Sequence, residues 1–233
     1  MAMDHAMDSE PGPGLHYATD SGLDEEDAQL VAERGRVDRP PTAAELTVPA
    51  LSRFLVEVAG PATVEEYQAR LRAVLGSALD HTVAGLDLDH LPDSAALALD
   101  RSVRPVPPWF AAISTGPGAA HAARETAPEF ARQGAGRFVA AGHGTGWRLA
   151  GWLERFDWDN TFRTWQWWDV TRTGGRTVSI WVDAHGEDFF ACQELRWAAW
   201  TAGAARVDGP ALVDARVWLA ERSGHPLSPS AGR

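Results

Sequence analysis

His185-Gly-Glu-Asp188, followed closely by Cys192 and Glu194, gathers an imidazole, three carboxylates and the chain's one thiol. These residue types allow two chemistries. Zinc takes imidazole nitrogen and thiolate sulfur at short spacings, but it needs further ligands. His121 and His143 are the ones the fold could bring. A Cys–His pair would instead make a nucleophile, since a thiol at a helix start has a lowered pKa. Against that, Phe189-Phe-Ala-Cys192 reads as buried. The simpler reading is a turn that leaves a hairpin.

Asp157-Trp-Asp159 is a second arrangement. On a strand its two carboxylates share one face, which suits acid–base work or a cation. In a turn, Asp side chains bond the local backbone, and that reading requires nothing more. His143-Gly-Thr-Gly146 resembles a fragment of a phosphate-binding glycine loop. No Lys-Ser/Thr follows it, and the chain has no lysine at all. Nucleotide binding is not expected. The catalytic candidates are therefore His143, Asp157, Asp159, His185, Glu187 and Cys192. The sequence has no Gly-x-Ser-x-Gly, His-Glu-x-x-His, EF-hand loop or Cys-x-x-Cys. No cofactor and no metal is expected.

All eleven tryptophans lie at or beyond Trp109, densest in Thr161–Asp169. Three readings are open. They are packed core, a protein-binding hot spot, or a platform for stacking sugars or bases. Core is the plainest. For binding, the candidates are Trp165, Trp167 and Trp181 with Arg163 and Arg176. Arg172 and Arg196 also lie close by in sequence.

The formal charge is −11. Residues 1–41 hold ten acids against three arginines, whereas residues 143–233 hold eleven against ten. The charge belongs mostly to the N-terminal segment, and nothing resembles the basic stripe of a nucleic-acid binder. No apolar run is long enough to span a membrane. The N-terminus has no apolar signal core, and a lone cysteine suits a reducing cytoplasm.

The elements that must position these groups read as follows. Residues 1–41 are acidic and Pro/Gly-rich and are expected to be a disordered tail. Asp24–Arg34 carries the signals of a short helix, either free or docked. Residues 42–100 read as a helical part. Thr42-Ala-Ala-Glu45 fits a capping box. A helix over 50–59 would place Leu51, Phe54, Leu55 and Val58 on one face, and Thr63-Val-Glu-Glu66 caps a second helix through Ala78. Residues 101–226 form a Trp-rich α+β part. Its centre is a hairpin of strands 162–170 and 177–182 around Gly174-Gly175. Aromatics on both faces of the first strand imply that it is covered on both sides. Phe138–Ala141 and Trp147–Leu153 read as short strands, and Trp109–Ser114 as a strand or a helix start. A helix is expected over 119–133, followed by a break at Gly134-Ala-Gly136. Further helices are expected over 192–202 and 210–222, with a frayed end at 227–233. The fold class is α+β: an N-terminal helical hairpin, then a small antiparallel sheet flanked by helices.

Trp168-Asp-Val170, Val182-Asp-Ala-His-Gly-Glu187, Glu194-Leu-Arg-Trp197 and Ala202-Gly-Ala204 together resemble a pattern in small actinobacterial proteins. The resemblance implies an origin and no activity. The expected function is a non-catalytic cytoplasmic protein-binding protein, an inhibitor or immunity-type partner of another, basic protein. The alternatives are a hydrolase-like enzyme with a pocket between the helical part and the sheet, or a component of a larger assembly. Neither nucleic acid nor membrane is expected as a partner.

Overall fold

The computed structural model describes residues 21–85, 103–114, 124–157 and 163–224. The sequence also suggests a short helix at Ser94–Leu99; this stretch, the frayed end at 227–233, and residues 1–20, Asp159, Phe162 and His121 lie outside them.

The elements in chain order are α1 (Ser21–Asp38), a 3-10 turn (Ala43–Glu45), β1 (Ala50–Val58), α2 (Val64–Val83), α3 (Pro108–Ile113), α4 (Glu129–Ala140), α5 (Leu149–Glu154), β2 (Gln166–Arg172), β3 (Thr177–Asp183), α6 (Gln193–Thr201), β4 (Ala204–Asp214) and α7 (Ala215–Arg222). The strands form one antiparallel sheet in the order β2-β3-β1-β4. The protein is α+β with a Trp-rich hairpin at the sheet, as its sequence indicates.

Residues 50–58 are a strand, not the first helix of a hairpin. Leu51, Phe54, Leu55 and Val58 fit a helical face, but Phe54, Val56 and Val58 also alternate with period two. Long-range ladders decide between the two. β1 sits at the centre, with Phe54 opposite Ile180 and Val56 opposite both Val178 and Val207. Segments 42–100 and 101–226 thus share one sheet.

The sheet is covered on both faces. Phe54, Val56, Val58, Val178, Ile180 and Val182 face the main core with Tyr67, Leu71, Val74 and Leu75 of α2 and Trp197 of α6. Leu51, Trp168 and Trp181 face a smaller core closed by Trp218 of α7. A bulge in β2 shifts the register after Trp167, so that Asp169 comes opposite Trp181. It sends Trp167 to the main core and both Trp168 and Asp169 to Trp218. Trp168 meets Trp218 edge-on at 5.6 Å, and the Trp218 indole N–H donates to Asp169 at 3.1 Å.

Four other expectations are corrected. α1 is a docked helix, as one reading of Asp24–Arg34 has it, so the segment from Ser21 onward is not part of a disordered tail. Its buried residues are Leu30, Val31, Glu33, Arg34 and Val37. Arg34 pairs with Asp80 of α2, and Glu33 pairs with Arg163. Segments 138–140 and 149–153 are helical. α4 begins after Pro128 and runs straight through Gly134 and Gly136. Gly134 is no break. A Cβ there would overlap the Trp200 carbonyl and lie 2.9 Å from Thr201 Cα, so this glycine lets α4 seat directly on α6. Finally, the last helix starts at Ala215, not Pro210. β4 runs to Asp214, whose carboxylate accepts from the Arg216 N–H at 2.9 Å and caps α7.

Side chains cap some backbone groups on each edge strand. On β2, Glu33 accepts from the Trp167 N–H, Arg36 donates to the Trp167 carbonyl at 3.0 Å, and Gln68 donates to the Val170 carbonyl at 3.2 Å. On β4, Arg137 donates to the Ala204 carbonyl at 3.0 Å, Arg196 donates to the Gly209 carbonyl, and Pro210 has no N–H to offer. These contacts blunt edges that would otherwise pair with other chains. Among the described residues, no helix is long and apolar enough to cross a membrane.

Candidate functional site

The tryptophans among the described residues serve the core, Trp109 and Trp147 as partly buried rings packed against it. Trp165, Trp167 and Trp181 are no more than 1% exposed, so none of the three offers a ring to a partner. The aromatic patterning that marked them as binding candidates instead reflects helices on both faces of the sheet. Their N–H groups also point inward. Trp165 donates to the Glu194 carboxylate at 2.6 Å, Trp152 to the Glu194 carbonyl at 3.0 Å, and Trp181 to Thr171 Oγ1 at 2.8 Å. The two arginine candidates are committed as well. Arg163 pairs with Glu33 over the Phe156 and Trp165 rings, and Arg176 donates to the Val58 carbonyl.

The buried carboxylates are structural for the same reason. Asp169 receives Arg72 at 2.9 Å and Arg222 at 3.3 Å besides Trp218. Such groups tolerate burial because they are ion-paired and hydrogen-bonded.

The described catalytic candidates sit in separate turns and at helix ends. His185 lies exposed in the turn after β3 with a left-handed φ of 54°, and Glu187 follows it, also exposed. Asp157 is exposed in the turn after α5, where its N–H donates to the Glu154 carbonyl at 3.2 Å. Cys192 is buried before α6. Burial pushes its thiol pKa up, and the hydrogen bond and charge of Arg196 offset this only in part. Burial and the raised pKa disfavour the thiolate, the reactive form of the thiol. His143 sits beside Phe138 at 5.2 Å. Burial, then the Arg196 charge, lowers its pKa. Cys192 and His143 thus share Arg196 as a neighbour. No group of three or more His, Cys, Asp or Glu capable of holding a metal occurs among the described residues.

A cleft of about 530 Å³ lies elsewhere, between the β1–α2 turn and the start of α4. Arg70 lies over the Phe130 ring there at 3.9 Å, and Glu66 and Glu129 also line the cleft. None of the catalytic candidates lines it.

Sequence reading missed the most exposed large apolar side chain among the described residues, Phe189 at 90%. Its neighbour Phe190 is buried against Phe54. A Phe-Phe pair after a glycine turn is the only signal the sequence carries, and it does not say which ring is left out. Comparison of the chain with protein-family models, curated proteins and solved structures finds no match.

Proposed function

We propose that this chain is a non-catalytic cytoplasmic protein-binding protein, an inhibitor or immunity-type partner of a basic protein. The way its arginines are engaged by the chain carries the reading. Arg36, Arg70, Arg72, Arg132, Arg137, Arg176 and Arg196 all donate to backbone carbonyls of the fold. Arg34, Arg163 and Arg222 pair with the buried carboxylates Asp80, Glu33 and Asp169. The exposed Arg39, Arg172, Arg206 and Arg216 pair with Glu45, Glu65, Asp208 and Asp214. Much of the arginine charge is thus engaged within the chain, while Glu57, Glu187 and Asp188 stand at exposed positions. The chain as a whole carries a net charge of −11. A net negative charge attracts a basic partner and repels nucleic acid and other acidic chains. The free, buried Cys192 suits a reducing compartment.

Affinity purification of the tagged full chain from its host at low salt tests the reading. The expected result is stable recovery of one host protein with a basic surface, released as salt rises. Recovery of nothing above background overturns it.

A further inference from the structure

Phe189 is not on a loose tip. The Asp183 carboxylate accepts the His185 N–H at 2.8 Å, and the Glu187 N–H donates to the Ala184 carbonyl at 2.9 Å. The Ser52 hydroxyl reaches the Glu187 carbonyl at 3.4 Å. On the other side, Phe190 packs edge-on to Phe54, with ring centroids 6.3 Å apart. The chain sends one phenyl into the core and fixes the next in water, where its apolar area gains nothing. Leu212 stands opposite Ser52 in the β1–β4 ladder and so shares its face, beside the Glu187 carbonyl. It too is exposed. Exposed Glu187 and Asp188 precede Phe189 directly.

We propose that the Glu187–Phe189 loop, with Leu212 beside it, is the contact surface for a protein partner. Phe189 enters an apolar socket whose rim carries Lys or Arg to meet Glu187 and Asp188. This rests on the protein-binding reading above and specifies where that binding occurs. An aromatic anchor surrounded by charge is the usual anatomy of an interface centre, with the aromatic supplying affinity and the charges speeding encounter.

The test uses the full chain and the basic protein that co-purifies with it. p-Benzoylphenylalanine at position 189 is irradiated in that complex, with the same group at exposed position 139 on α4 as control. Phe189→Ala and the pair Glu187→Gln, Asp188→Asn are titrated in parallel. Their unchanged melting temperatures show that the fold is intact. The expected result is a crosslink to the basic partner from 189 and not from 139. Phe189→Ala should bind roughly 10- to 100-fold more weakly, and the charge variant should associate more slowly with a reduced salt dependence. A partner that binds wild type and Phe189→Ala equally, or crosslinks only from 139, overturns the site and leaves the protein-binding reading standing. A crosslink joining two copies of this chain overturns the basic-partner assignment. If no partner is recovered at all, reading and site fall together.

Discussion

Trp218 donates its indole N–H to Asp169 at 3.1 Å, and the same carboxylate holds Arg72 and Arg222. One fully buried side chain thereby ties α2, β2 and α7 across the sheet. Asp169→Asn keeps the shape but removes the charge that compensates two guanidinium groups. Both arginines are partly exposed, so water recovers some of the loss. The expected cost is about 3 kcal/mol, the lower end for a broken buried pair. Urea unfolding measures it, and a change below about 1 kcal/mol would show that the network is dispensable.

Two glycines of α4 should respond oppositely to alanine. Alanine normally stabilises a helix interior by about 0.5–1 kcal/mol relative to glycine. At Gly136 nothing lies within 4 Å of an added Cβ, so this gain should appear in full. At Gly134 the methyl would strike the backbone of Trp200 and Thr201. Parting α4 from α6 costs about 1–3 kcal/mol or more, which outweighs the propensity gain. Thermal melts of Gly136→Ala and Gly134→Ala should therefore move in opposite directions.

That glycine illustrates what was legible in the sequence and what was not. The Thr63–Glu66 capping box, the Gly174-Gly175 turn and the two-sided strand are local patterns, and local patterns were readable. Gly134 reads as a break because the Trp200 backbone it accommodates is remote in sequence. β1 reads as a helix because its ladder partners are likewise remote. α1 reads mainly as tail because two of its five buried residues, Glu33 and Arg34, are charged. Only their distant partners Arg163 and Asp80 make them core. Of the candidate site, the acidic loop 185–188 was visible, but the exposed phenyl beside it was not.

Acid should loosen the segment after α1 in a defined window. The Arg39 guanidinium, with help from Thr42, lowers the Glu45 carboxyl from its ordinary 4.5 to about 2. At Asp38 burial opposes ionisation, but hydrogen bonds from Arg104 and Arg34 outweigh it and hold the carboxyl below its usual range. A carboxylate depressed in the fold contributes stability above its unfolded pKa and loses it as pH falls through the folded value. The difference in melting temperature between wild type and Glu45→Gln should be full at pH 6. It should shrink from about pH 4.5 and vanish near pH 2. A difference that does not change across this window would contradict the pairing.

Cys192 should resist labelling. Its thiol is buried and its pKa is raised. Reaction with an aromatic disulfide reagent at pH 8 is expected to be at least about tenfold slower in the native chain than in urea. Fast, stoichiometric labelling of folded protein would revive the nucleophile reading.

The central claim is that this acidic chain, with its arginines engaged in its own contacts, binds a basic protein. Its most direct test is the Kd of the purified partner for the full chain at about 50 and about 200 mM salt, a range over which screening of exposed charges rises steeply. Charge complementarity predicts a Kd at least about tenfold weaker at the higher salt, carried mainly by slower association. A Kd that salt leaves unchanged, or a partner whose surface is itself acidic, would contradict the account.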